Sequence, residues 1–306
     1  GAMDLFAHRV ANLLVGNGSD EATLEMTMIG PELEFAAPAL IALCGGDLSA
    51  GIGGEPVPLW RPVFVREGAV LKFGAARQGC RAYLAVAGGF AVGQRMGSYS
   101  TYLRAGIGGY RGRALREGDM LPAGPPTPLG RRIAAGLAGA AKPGAAFTAA
   151  GWRVSADMLP DYSDHPTVRF VPGGEYDWFD ETQKRLLETT EYAVSPRSDR
   201  MGYRLSGAPL HPRQGRELLS EPVVFGTVQV PPDGSPIVLM ADRQTTGGYP
   251  KIAQVITADL PLLAQTRIGG KVRFRRVDLR KAQETLLRTE LSLRLLEKQI
   301  RLRADH

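Results

Sequence analysis

A chain of 306 residues, 44% hydrophobic and 22% charged, is long and apolar enough to bury a substantial core, which argues against a disordered polymer and for two domains. Its 37 basic and 31 acidic residues give a net charge of +6, but no Lys/Arg block gathers that excess. The charge therefore speaks against nucleic acid and suits an anionic small molecule or an acidic partner surface. Cys44 and Cys80 lack CxxC spacing and the four histidines lack H-x-x-x-H spacing, so neither zinc nor a dithiol centre is expected. Two reduced, buried thiols and a cytoplasmic location, without membrane contact, follow from the lack of an export signal or an apolar run of about 18 residues.

In chain order, Asp4 to Val15 places Leu5, Phe6, Val10, Leu13 and Leu14 at helical spacing, with Asp4 as cap and Gly16-Asn17 as stop. The start at Gly1 leaves open whether a native strand and loop precede it. Short apolar runs at Ile41–Leu43, Val63–Val65, Val70–Phe73 and Ala82–Val86 alternate with Gly and Pro, the spacing of an all-β barrel or sandwich over residues 1–124. Residues 125–160, rich in Ala, Gly and Pro, read as a linker or mobile loop. A second barrel domain is expected over 161–277: a strand at Val168–Val171, a helix over Asp177–Thr190, a short helix at Ala258–Gln265 and a last strand at Val272–Arg275. From Asp278 to His306 a long helix is expected to pack Leu279, Ala282, Leu286, Leu293, Leu296 and Ile300 on its own barrel or on a partner.

The most informative stretch is Glu217 to Lys251. Val223–Phe225 and Thr227–Val230 read as strand, Pro231–Gly234 as turn and Ile237–Met240 as a buried strand, so a hairpin is expected. Beyond it lies ADRQTTGGYPK. Asp242 can act as base or anchor a cation, Arg243 and Lys251 can neutralise a carboxylate or phosphate, and Gln244, Thr245 and Thr246 can donate and accept. Gly247-Gly248 can offer backbone donors as a nest for an oxyanion, followed by Tyr249. A solvated hairpin tip is the alternative. A second polar block, Ser198–Leu205, carries Asp199, Arg200, Tyr203 and Arg204. If the two blocks share a pocket, Arg200 or Arg204 faces the Gly247-Gly248 turn.

The blocks SDRMGYRL, ELLSE and VQVPPDGSPIVLMADRQTTGGYPKIAQVITADLPLLAQ, with GAMDLFAHRVANLLVGN, RAYLAVAGGF and GSYSTYLRAGIGGYRGRALREGD upstream, resemble one family over Gly1 to about Phe274. It is the biotin-dependent carboxyltransferase family, also called allophanate hydrolase subunit 2-like, which includes the C subunit of 5-oxoprolinase. The resemblance implies a mainly β fold of two cyclophilin-like β-barrels and a C-terminal helix. It implies one member of a hetero-oligomer, working with a homologous B subunit and an A-like subunit to open 5-oxo-L-proline to L-glutamate, with ATP consumed in the assembled complex. Arg200, Arg204, Asp242 and Lys251 are then the catalytic candidates. Tyr203, Gln229, Arg243, Gln244, Thr245, Thr246, Gly247, Gly248 and Tyr249 are candidate substrate contacts, as are Ser98, Ser100, Thr101 and Arg104 of the first domain. Two alternatives stay open: a carboxyltransferase moving CO2 from carboxybiotin to urea or a related amide, with biotin on another chain, and a binding protein that antagonises a kinase inhibitor.

Overall fold

A computed structural model describes residues 1–213 and 218–304. Glu217, the first residue of the ELLSE block, and His306 lie outside the described residues. The chain divides into two compact units, Gly1–Leu159 with Leu291–His306, and Pro160–Glu290.

The first unit opens with α1 (Leu5–Leu14), which starts where the Asp4 carboxylate accepts the Ala7 N–H at 2.9 Å and buries Phe6, Val10, Leu13 and Leu14. Then come β1 (Leu24–Thr27), β2 (Leu33–Glu34), β3 (Ala39–Asp47), β4 (Gly51–Ile52), β5 (Glu55–Pro56), β6 (Pro62–Val65), β7 (Val70–Lys72) and β8 (Gln78–Val86). α2 (Pro128–Gly139) and β9 (Phe147–Ala149) follow. One sheet has the order β1-β8-β3-β6-β9 and a second the order β2-β7-β4-β5. Both feed a single core in which Ile41, Leu43, Val63 and Leu84 of the first meet Ile52 and Leu71 of the second.

Residues 125–160, expected as a linker, are structured. Thr127 caps α2 with Pro128 in the first turn, and β9 pairs with β6 through Val65↔Phe147. Close approach accounts for Gly130, where a Cβ would lie 2.8 Å from Val15 O, and for Gly16 opposite it, whose φ is +77° and whose Cβ would lie 2.6 Å from the Gly130 nitrogen.

The second unit contains β10 (Thr167–Pro172), α3 (Glu181–Thr189), β11 (Tyr192–Val194), β12 (Gly202–Ser206), β13 (Glu221–Pro222), β14 (Thr227–Gln229) and β15 (Ile237–Leu239). β16 (Thr246–Gly247), β17 (Lys251–Val255), α4 (Leu260–Gln265) and β18 (Lys271–Arg276) follow. Seven strands close a barrel in the order β10-β17-β14-β15-β12-β11-β18, and β18 returns to β10 in parallel. Strand alternation fills its interior: Phe274 meets Phe170 and Tyr192 edge-on, with ring centroids 6.3 and 6.0 Å apart. The expected hairpin forms between β14 and β15, with Val228 opposite Val238. Val223–Phe225, expected as a strand, is instead the way into a turn at Gly226, whose φ of +85° no strand permits. Glu221 and Pro222 just before it pair with Thr246 and Gly247 in a separate two-stranded ribbon.

α5 (Leu279–Arg303) begins where Asp278 accepts the Lys281 N–H at 2.6 Å. Leu293, Leu296 and Ile300 are buried as expected, whereas Leu279 is 62% exposed because it sits in the first turn, before the packed length begins. Among the described residues no helix is long and apolar enough to cross a membrane, and Cys44 and Cys80 are buried thiols outside any disulfide.

His8 tests the packing of α1. Its Nδ1 lies 2.8 Å from the Thr23 hydroxyl, and burial holds its pKa below the ordinary 6.5 despite the opposing pull of Asp20 and Glu25. A depressed histidine pKa means that the unfolded chain takes up the proton first, so stability is full above 6.5 and declines as pH falls through the folded pKa. His8→Gln is expected to flatten this decline when urea midpoints at about pH 7 and about pH 5.5 are compared with wild type.

Candidate functional site

The register of β12 on β15 decides what meets at the barrel end. With Gly202 opposite Leu239 and Tyr203 opposite Val238, the Met240 N–H donates to Met201 O at 2.9 Å and the Asp242 N–H to Arg200 O at 2.8 Å. The two polar blocks are thus joined. Their side chains follow, as Arg200 Nε and Nη2 donate to the two Asp242 carboxylate oxygens at 2.9 and 3.1 Å. This two-point pair fixes the guanidinium plane and leaves it little net charge.

Arg204 does not join the site. Alternation along β12 turns Tyr203 and Leu205 inward and Arg204 outward, opposite Ile237 at the start of β15, whereas Asp242 lies past its end. Tyr203 is a core residue, 4% exposed, with its hydroxyl 3.4 Å from Thr266 O. Neither is placed to touch a ligand at the Asp242 end.

Lys251 departs most from expectation. Its Nζ lies 2.6 Å from Glu221 Oε2 and 3.2 Å from Glu175 Oε2, and its backbone N–H donates to the same Glu175 oxygen at 2.9 Å. Burial pulls the ammonium pKa down, but the hydrogen bonds and charges of Glu221 and Glu175 outweigh it and raise the pKa overall. One ammonium between two carboxylates is a net negative cluster, which repels an anion. Lys251 is a clasp that ties the ribbon, β17 and the turn at Glu175 together, not the free cation that the sequence suggested.

Gly247 and Gly248 also act differently. Neither has a positive φ, so the nest that alternating helical conformations would make does not form. Gly247 lies against a buried side chain, because a Cβ there would lie 2.5 Å from Gln229 Nε2 and that amide would have to shift. Gln229, 1% exposed, is a support rather than a ligand contact, with Nε2 donating to Tyr249 O at 3.3 Å. What the loop exposes is Gln244, Thr245, Thr246, Gly248 and Tyr249, a group of neutral donors and acceptors, with Arg243 half-buried at their head.

Ser98, Ser100, Thr101 and Arg104 lie in the first unit, on the glycine-rich loop after β8. Ser98 Oγ accepts the Ser100 N–H at 3.1 Å, and the Thr101 side chain packs against Gly109, whose φ is +50°. Arg113 and Asp119 brace the end of that loop with two bonds of 2.7 Å. The residues that sequence reasoning missed are Glu175 and Glu221. No local signal marks them, because their partner is 76 and 30 residues away.

The carboxyltransferase domain family, subdomain A and B, matches residues 1–276. The 5-oxoprolinase C subunit of Haemophilus influenzae is 37% identical over 293 residues, covering 96% of this chain and 87% of the relative. That of Escherichia coli is 39% identical over 282 residues, covering 92% and 84%. Among solved structures, Kluyveromyces lactis urea carboxylase superposes with a TM-score of 0.83 at 27% identity over 97% of this chain, which spans 26% of that longer protein.

The clasp makes a stability prediction. Lys251→Ala strands Glu175, 9% exposed as a side chain, without its cation, and is expected to cost about 3 kcal/mol in denaturant unfolding. The double variant with Glu175→Gln should recover much of that loss. A Lys251→Ala protein as stable as wild type would show the clasp to be idle.

Proposed function

The chain belongs to the carboxyltransferase domain family, subdomain A and B, and from that premise we propose that it is the C subunit of an ATP-dependent 5-oxoprolinase. In this reading it works in the cytoplasm with a homologous B subunit and an A-like subunit to open 5-oxo-L-proline to L-glutamate. The observation that carries the reading is the 37% and 39% identity, over nearly the whole chain, to two relatives named as that component.

A lactam is a weak electrophile, and its opening needs its carbonyl polarised and its N–H held. The exposed amide of Gln244 and the hydroxyls of Thr245, Thr246 and Tyr249 can both donate and accept, which matches an amide that presents one donor and one acceptor. The Arg200 guanidinium, oriented by Asp242 two residues before Gln244, supplies further directed N–H groups at this end of the barrel. ATP does not fit these residues. Arg200 and Lys251 are neutralised by Asp242, Glu175 and Glu221, which leaves Arg243, among the described residues, as one unpaired cation in this loop, too little for a triphosphate, and the nucleotide is assigned to another component of the complex.

A second reading is favoured by the likeness to urea carboxylase at a TM-score of 0.83. The same neutral donors fit urea and the ureido ring of biotin, which when bound on a partner chain supplies the carboxyl group. Gln244, Thr245 and Thr246 would orient the planar amide there as they orient the lactam here.

The purified chain alone is expected to release no glutamate from 5-oxo-L-proline and ATP, and to do so once its partner subunits are added. Turnover by the isolated chain would reject its assignment as one part of a larger enzyme. In the assembled complex, Arg200→Ala should lower kcat/KM by about 2 to 4 kcal/mol in transition-state terms. Arg200→Lys, which keeps charge but not the fork, should recover little.

A further inference from the structure

Three cations border the loop after β15, and their surroundings differ. Arg200 is committed to Asp242 through both carboxylate oxygens. Lys251 is held between Glu175 and Glu221. Arg243 has neither arrangement. Its Nε is buried without a hydrogen-bond partner, and no carboxylate pairs with its guanidinium among the described residues. Burial, unopposed by any neighbouring charge, pulls its pKa below the ordinary value.

The carboxylate closest in sequence, Asp242, is diverted to Arg200 and cannot serve it. The backbone denies Arg243 an easy retreat, since its N–H donates to Met240 O at 3.2 Å and fixes the residue at the end of β15. A half-buried guanidinium whose Nε is cut off from water without a partner is under-compensated until an acceptor completes it. Exposed arginines such as Arg275 carry no such requirement, because water solvates them.

We propose that Arg243 is the anion receptor of this site and takes the carboxylate of a small carboxylic acid. A guanidinium fork matches a carboxylate at two points, and one uncompensated positive charge balances one negative charge where a phosphate would bring more. The proposal rests on the lactam-opening reading above, in which the substrate carries such a carboxylate beside its amide; urea carries none. The neutral side chains of Gln244, Thr245 and Thr246 then face the amide half and Arg243 the acid half of one ligand.

Titration calorimetry on the full chain, and on the assembled complex, tests this with 5-oxo-L-proline, 2-pyrrolidinone (the same lactam without its carboxylate), acetate, L-proline and inorganic phosphate. Wild type is expected to bind 5-oxo-L-proline at least about tenfold more tightly than 2-pyrrolidinone. Arg243→Ala and Arg243→Gln should erase that preference, Arg243→Lys should keep part of it, and the exposed control Arg275→Ala should leave it unchanged. Thermal melting without ligand adds an independent readout: loss of an unpaired cation should leave the melting temperature of Arg243→Ala equal to or above wild type, while an arginine with a structural role would lower it.

Unchanged acid preference in Arg243→Ala overturns the inference, as does tighter binding of phosphate than of any carboxylate, or the absence of anion binding in both chain and complex. Arg243-dependent binding of acetate or L-proline with no affinity for 5-oxo-L-proline would uphold the receptor and bring down the 5-oxoprolinase reading instead.

Discussion

A sheet that closes on itself has no edge strand, and the second unit meets that condition through one parallel pairing, Thr167–Phe170 of β10 against Arg273–Arg276 of β18. Closure fixes the register of every other pair. Because Phe170, Tyr192 and Phe274 fill the interior, a slip by one residue would turn Arg273 or Arg275 inward, so the alternation in β18 holds the ring in place. The site inherits that rigidity. Arg200 and Asp242 meet because β12 and β15 are neighbours in a ring that cannot shear, and their ion pair is a consequence of register rather than its cause.

The second unit also sorts its charges by how far they are withdrawn from water. Asp259, 2% exposed, receives the Arg169 backbone N–H at 2.7 Å and its Nε at 2.9 Å, which compensates a buried carboxylate fully. Lys251 receives two carboxylates. Against this pattern of complete pairing, the half-buried Arg243 without an anion stands apart, and in a barrel that otherwise satisfies its buried ions the missing partner is most simply a ligand.

Local signals were legible in the sequence because they need only neighbouring residues. The cap Asp4, the helix start at Asp278, the alternation of Val272 and Phe274, and the hairpin around Pro231–Gly234 each declare themselves within a few positions. The Arg200 and Asp242 blocks were legible as two polar clusters, but their adjacency only as a condition, which the register of β12 on β15 decides. What was not legible is pairing across distance. Nothing near Lys251 reveals that Glu175 and Glu221 will surround it, and nothing near Gly130 reveals that Gly16 will press against it, so a clasp read as a free cation and a packed helix read as a linker. Gly247-Gly248 misled for a related reason: glycine serves both positive φ and close approach, and only the position of Gln229 decides between them.

A loop of this composition suits more than one amide substrate. Lactams and ureas share an amide plane, and in the proposed reading the neutral set of Gln244, Thr245, Thr246 and Tyr249 can donate to and accept from that plane without distinguishing the two. Discrimination must then come from what surrounds the amide. A carboxylic acid next to the amide adds a charge that neutral donors hold weakly and that the negative Lys251 cluster repels, so a site built for it needs one uncommitted cation close to the donors and away from Glu175 and Glu221. Arg243, adjacent to Gln244 in sequence and paired with no carboxylate among the described residues, is the cation proposed for that role. The proposed receptor thus concentrates the choice between an acid and a neutral amide on one guanidinium, while the barrel end and the clasp hold the loop that carries it.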